Sequence, residues 1–211
     1  MAFDFKKEYK IFYHAKKKPE IITIPKMNYL AVRGKGDPNE ENGEYKQSIE
    51  LLYPIAYTLK MSKNSDYKIK DYFDYVVPPL EGFWWQEGIQ GVDYSRKEDF
   101  RWISLIRLPD FVTKKDFDWA IETARKKKKK DFSKVEFFTY EGGLCVQAMH
   151  IGPFDNEIET VEKMHKYIEE EGYELDISDT RHHQEIYLSD IRRVSPEKLK
   201  TLLRHPIKDK K

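Results

Sequence analysis

Among its 211 residues the chain has a single cysteine, Cys145. That excludes an internal disulfide framework and suits a reducing cytoplasm, where this protein is expected to reside. Cys145 sits in an apolar stretch, which favours inert packing over nucleophilic work. Long apolar runs are missing too. Nothing approaches the ~20 residues that span a bilayer, so no membrane partner is expected. Residues 1–20 are charged throughout and lack the apolar segment of a signal peptide. Nor is there an excess of one charge. Lys+Arg number 38 and Asp+Glu 37, for a net charge of +1, whereas binding to phosphates needs a basic surface. Nucleic acid is therefore not expected as a partner. The run Lys126–Lys130 falls at a helix end, where solvated cations suit the dipole. No nucleophile motif of a serine or cysteine hydrolase is present. No HExxH or clustered Cys/His spacing points to a metal, and no cofactor is expected. His182–His183 beside Glu185 invites a metal reading, but adjacent residues on a strand point to opposite faces.

What is abundant is aromatic surface: 4 Trp, 14 Tyr and 12 Phe, or 14% of the chain. That is more than a core needs, and some of it is available to line a pocket. Residues 1–18 allow a short amphipathic helix through Phe5, Tyr9 and Phe12. Pro19 and Pro25 bracket an extended segment, and 27–35 (MNYLAVRGK) reads as a strand closed by Gly34, Gly36 and Asp37–Pro38. Residues 44–61 form a helix with Tyr45, Ile49, Leu52, Ala56 and Leu59 on one face, Tyr53 and Tyr57 on an adjacent stripe, and Pro54 in its interior. Residues 67–77 and 80–86 are strand-like. In the second, Trp84 and Trp85 must face opposite ways, so one of them needs a second apolar surface. A polar loop (87–99), a strand (100–108) and a helix (113–130, capped by Thr113 with Asp116 three residues on) follow. Residues 135–140 and 144–151 suggest a hairpin turning at Glu141-Gly142-Gly143. A helix over 155–171 places Ile158, Val161, Met164, Tyr167 and Ile168 inward and stops at Gly172. The last strand, 201–205, should stop at Pro206.

The stretch from Gln184 to Ser189 is the one that points to chemistry. Alternation puts His183, Glu185 and Tyr187 on one face and Gln184, Ile186 and Leu188 on the other. Glutamate is depleted in strands, and burying its charge is costly unless it is paired. Glu185 therefore either faces solvent or faces an aromatic-lined cavity. A near-repeat favours the cavity. Strand, glycine turn, helix, strand, strand runs from Met27 to Pro109 and again from Leu144 to Pro206. The turns are RGKGDP (33–38) and HIGPF (150–154). The last strands, ISLIRLP (103–109) and KTLLRHP (200–206), both end Arg-x-Pro. Their predecessors are PLEGFWW (79–85) and HQEIYLS (183–189). This predicts an α+β fold of two βαββ halves about a pseudo-two-fold axis, an antiparallel sheet with helices, and a central ligand groove. The division is 1–19 as an N-terminal extension, 20–110 and 135–211 as the halves, and 111–134 as a linker helix.

Four pieces, MNYLAVRGKGDPN (27–39), LEGFWW (80–85), HIGPF (150–154) and EIYLSDIRR (185–193), resemble the GyrI-like small-molecule-binding family, and the resemblance covers essentially the whole chain. It implies tandem βαββ (SHS2-type) modules that hold aromatic or planar ligands, cationic ones included, between aromatic side chains and a buried glutamate. By motif match that glutamate is Glu185, the candidate catalytic residue, with Tyr187 two residues on. Tyr53, Tyr57, Phe83, Trp84, Trp85 and Tyr187 are the candidate ligand-binding residues, and no metal ligand is assigned. Some stand-alone members similar to this chain hydrolyse strained cyclopropane rings in DNA-alkylating compounds. Others sequester or sense ligands without chemistry, and an aromatic cage with a carboxylate serves either task. One departure is Ile191, where many relatives have proline after the Ser-Asp pair. No DNA-binding helical region precedes residue 20, so the regulator form of the family is not expected.

Overall fold

The computed structural model describes residues 2–89, 93 and 95–210; parts of the loop expected over 87–99 lie outside them. The chain opens on β1 (Phe3–Asp4) and two single turns, α1 (Phe5–Glu8) and α2 (Lys10–Tyr13). Next come β2 (Glu20–Lys35), α3 (Glu44–Lys60), β3 (Tyr75–Val76), β4 (Leu80–Gln86), β5 (Phe100–Arg107) and α4 (Lys114–Lys128). The second half holds β6 (Glu136–Ile151), α5 (Ile158–Glu170), β7 (Tyr173–Leu175), β8 (His183–Tyr187) and β9 (Lys200–Asp209). Apart from the small β1–β3 pair, the strands form one antiparallel α+β sheet in the order β6-β2-β5-β4-β8-β9-β7. Its middle reads alike from either side: β2-β5-β4 in one half faces β8-β9-β6 in the other. β6 also pairs with β9, so six strands close into a ring. The two near-repeat strands, β4 and β8, are direct neighbours at the centre, with Gly82 opposite Glu185 and Trp84 opposite His183.

Helices α3 and α4 cover one face of β2, β4 and β5 through a core of Leu52, Ile55, Leu59, Trp102, Phe117 and Ala120. Helix α5 covers the same side of the second half through Met164 and Ile168 against Val146, Ala148, Leu203 and Ile207. The opposite face is filled by Tyr29, Phe83, Leu105 and Cys145, and by the N-terminal Phe5 and Tyr13. A capping box between Thr113 and Asp116 starts α4 as expected.

Several boundaries differ from expectation. The hairpin at Glu141-Gly142-Gly143 is absent, because β6 runs straight through it. Gly142 is there for close approach: a Cβ would sit 2.7 Å from Ile24 Cβ on β2. Gly143 takes φ +61° opposite Ile24, within a strand that stays paired with β2 to Gln147 and joins β9 from Cys145 onward. Pro25 does not separate two segments; β2 passes through it and its ladder simply skips that residue. Nor does Pro206 end β9. It contributes its carbonyl, which accepts from Asp176 N–H at 2.9 Å, and pairing with β7 continues to Asp209. Of 67–77, only Tyr75–Val76 is a strand. Ile158 is 46% exposed rather than inward, and the adjacent Glu157 is buried in its place.

The inner face carries an unusual polar group. Glu81 is 2% exposed and its Oε2 accepts from Gln184 Nε2 at 2.7 Å. Gln184 Oε1 in turn accepts from Arg204, whose other contacts include Gln147 Oε1 at 2.8 Å and Phe12 O at 3.0 Å. Burial pushes the Glu81 carboxyl up to about 7, with Arg204 and Arg107 pulling the other way. A carboxyl raised on folding opposes stability once the unfolded chain has ionised. Below its ordinary 4.5 both states hold the proton; stability then falls as pH rises to about 7 and stays lower above. The deficit is about 3 kcal/mol at the usual value per pKa unit. Glu81→Gln is expected to match wild type in chemical denaturation at about pH 4.5 and to be more stable by up to that amount at about pH 8.

Candidate functional site

The central pair of strands presents its helix-side residues beneath the meeting point of α3 and the turn that precedes α5. Alternation brings Trp84 from β4, and His183, Glu185 and Tyr187 from β8, to that side. Gly82 shapes the arrangement. A Cβ there would lie 2.5 Å from Trp84 Nε1 and 3.1 Å from the Tyr187 hydroxyl, so only glycine lets the indole lie back across its own strand. Trp84 Nε1–H then donates to Tyr187 Oη at 2.9 Å. Tyr45 of α3 packs on Trp84 with ring centroids 5.0 Å apart, and Phe154 stands edge-on to Tyr187 at 5.8 Å. Burial, and then the charge of Glu185, hold the Tyr187 phenol well above its ordinary 10; it is a donor at any physiological pH.

Against this aromatic wall lie two carboxyls and an imidazole. His183 Nε2 is 3.1 Å from Glu185 Oε1. Glu157, the residue just before α5, is 2% exposed, and its Oε1 has no hydrogen-bond partner among the described residues. Burial first, then the Glu185 charge, push Glu157 well above the carboxylate range, and the Thr201 hydroxyl lowers it only in part. Two carboxyls this close disfavour each other's charge, and the burden falls on the more buried Glu157. One donor atom each of Glu157, His183 and Glu185 lies within 4.8 Å of the others, close enough for a small cation. His183 and Glu185 already meet each other, and these side chains are not assigned as metal ligands.

Of the residues singled out from sequence, the structure gathers Glu185, Trp84 and Tyr187. Phe83 and Trp85 are not among them. Alternation turns both to the opposite face, where Phe83 is buried against Tyr140 and Trp85 stacks on His182 at 4.1 Å. Tyr53 is half-buried on α3, within electrostatic reach of Tyr45 and of Asp190 and Arg192. Tyr57 stands beside it, 51% exposed. Sequence reasoning missed Glu157 and His205 and gave Tyr45 only a core role. Open clefts of about 290 and 440 Å³ lie elsewhere, around Trp102 and Lys130 and around Glu87 and Arg101. Their charges are paired at the surface, Lys130 with Glu50 and Arg101 with Glu87. The Glu185 group is packed more tightly, with Trp84 7% exposed, and it joins an aromatic wall to interacting acids.

The helices and the single large antiparallel sheet define an α+β domain, with aromatic-walled carboxyls at the junction of β4 and β8. The sequence from residue 17 to 208 matches the model of the GyrI-like small molecule binding domain, and the chain belongs to that family. An uncharacterised conserved protein of Listeria innocua is 51% identical, covering 98% of this chain and 100% of its own, with a TM-score of 0.92. A protein of the same organism described as a hydrolase is 48% identical over 98% of this chain and 100% of its own, with a TM-score of 0.88. The EcmrR C-terminal domain, 15% identical over 91% of this chain and 98% of its own at a TM-score of 0.54, shares the fold. No curated protein matches. Among the described residues no helix is long and apolar enough to cross a membrane.

Proposed function

We propose that this small-molecule-binding domain hydrolyses strained cyclopropane rings in planar aromatic DNA-alkylating compounds and thereby protects the cell that makes it. The observation that carries the reading is Glu185, 3.1 Å from His183 Nε2 and set beside the buried Glu157, whose carboxyl is raised by burial, under the Trp84–Tyr187 pair. The aromatic wall suits a flat ligand by burial and stacking, and a cationic one by cation–π attraction. A water held between the Glu157 O–H and the Glu185 carboxylate is oriented for attack. Its oxygen forms the new C–O bond as the strained C–C bond breaks. The electron pair passes to the conjugated carbonyl oxygen, which takes a proton from solvent, while Glu185 takes the proton of the attacking water. Strain supplies much of the driving force. A hydrolase at 48% identity over nearly the whole chain supports this choice.

A second reading, sequestration of planar cationic aromatic ligands without chemistry, is favoured by the same carboxylate acting as a counter-charge. Incubation of the protein with a cyclopropane-bearing alkylator in water labelled with heavy oxygen separates the two. Catalysis predicts many turnovers per protein and label in the new hydroxyl. Tight binding with no labelled product would leave sequestration.

A further inference from the structure

Behind Glu185 the hydrogen bonding continues through three histidines from three different elements. Glu185 Oε1 meets His183 Nε2 at 3.1 Å. His183 Nδ1 meets His205 Nε2, on β9, at 2.6 Å. His205 Nδ1 meets His165 Nε2, on α5, at 3.1 Å. His183 and His205 are buried, 8% and 4% exposed, whereas His165 is half-buried on the outer helix. Both ring nitrogens of the two inner histidines are thus engaged, and the run goes without a gap from the half-buried Glu185 carboxyl, through two buried rings, to the half-buried His165 on α5. The groups facing it are Glu157 and Glu185 at the inner end and Glu162, on the same helix as His165, at the outer end.

We propose that His183, His205 and His165 form a proton relay that returns the proton taken up by Glu185 to solvent at the surface of α5. The proposal rests on Glu185 acting as the base in the reaction above. After water attack the Glu185 O–H faces His183 Nε2. In the matching tautomers each histidine carries its proton on Nδ1 and accepts at Nε2. Glu185 gives its proton to His183 Nε2, His183 Nδ1–H passes one to His205 Nε2, and His205 Nδ1–H passes one to His165 Nε2. His165 Nδ1–H releases one to water. Glu185 ends as a carboxylate facing His183 Nε2–H, three N–H bonds have moved from Nδ1 to Nε2, one proton has left, and each ring regains its Nδ1–H tautomer by proton exchange with solvent before the next turnover. Burial, followed by the neighbouring His183 and His165, holds His205 well below its ordinary 6.5. It is therefore neutral at physiological pH, the form with one proton to give and one lone pair to accept. A purely structural bond would need only one ring against Glu185; the second and third rings are what carry the run to the surface.

His165→Ala tests the outer link at a half-buried helical position that tolerates truncation. Proton transfer by a placed group contributes about 100- to 10,000-fold, so losing one link is expected to lower kcat by roughly 10-fold or more. KM should be unchanged, the solvent isotope effect should rise, and imidazole added to the buffer should restore the rate. Unchanged kcat, or a loss that imidazole does not repair, overturns the relay. A second arm needs no turnover. In protein labelled with ¹⁵N-histidine, Glu185→Gln should shift the ring nitrogens of His165 two rings away, and unshifted resonances overturn the relay. Wild type that shows this coupling but hydrolyses nothing would defeat the hydrolase reading and leave the wire intact.

Discussion

Glu185→Gln is expected to cut turnover of a cyclopropane-bearing alkylator by about 100- to 10,000-fold, the usual range for losing a general base. Gln fills the same space and its amide can pair with the His183 ring in either tautomer, but it cannot take a proton from water. Affinity for a neutral aromatic analogue should therefore hardly change. A cationic analogue should bind more weakly, because its buried counter-charge has gone. Glu157 makes the result sharper. Its carboxyl is raised by burial and by the Glu185 charge. Removing that charge relaxes part of the upward shift on Glu157, so a residual rate in Glu185→Gln that the double variant Glu185→Gln/Glu157→Gln abolishes would show Glu157 acting as a substitute base. Equal turnover by wild type and variant would mean that the aromatic wall activates the substrate unaided and that Glu185 only recognises it.

The second large effect distinguishes two adjacent residues that composition treats alike. Trp84→Ala is expected to cost about 3–5 kcal/mol, as for other buried Trp or Phe truncations. Trp84 is 7% exposed, packs on Tyr45 and on Phe100, and donates to Tyr187. Trp85→Ala should cost about 1–3 kcal/mol, since that ring is only partly buried and loses chiefly its stack on His182. Urea midpoints read at constant slope give both values. Because Trp84→Ala strains the whole fold, binding is better tested with Trp84→Phe, which keeps a ring but removes the indole donor. A planar cationic dye should quench tryptophan fluorescence in Trp85→Ala and much less in Trp84→Phe. The opposite pattern would place the ligand on the other face of β4.

The strand faces were legible because period-two alternation is a local property. Trp84 against Trp85, and His183 against His182, are separated as the pattern requires, and the palindromic strand order follows the paired motifs ISLIRLP and KTLLRHP. What failed was punctuation. Gly142-Gly143, Pro25 and Pro206 all look like stops, yet each serves a continuous strand, two through missing atoms and one through a carbonyl. Such uses depend on the partner strand and leave no local mark. Glu157 was hidden for a related reason. It stands one residue before a helix whose pattern made Ile158 the inward residue, and tertiary packing rotated the helix start so that the acid went in. His205 was assigned only to the end of a strand, and nothing short of the β8–β9 register brings it to His183.

The closed ring also sets an order of events during synthesis. β6 is made long before β9, and until β9 is complete both β6 and β8 lack their neighbour on one side. A nascent chain at that stage carries two open ladders and a His183 without its partner ring, because His205 travels with the missing strand. The strand that removes the last templates for aberrant pairing is thus also the one that joins His183, beside Glu185, to His205. Quality control that responds to exposed sheet edges would, in this molecule, discard chains whose chemistry is unfinished.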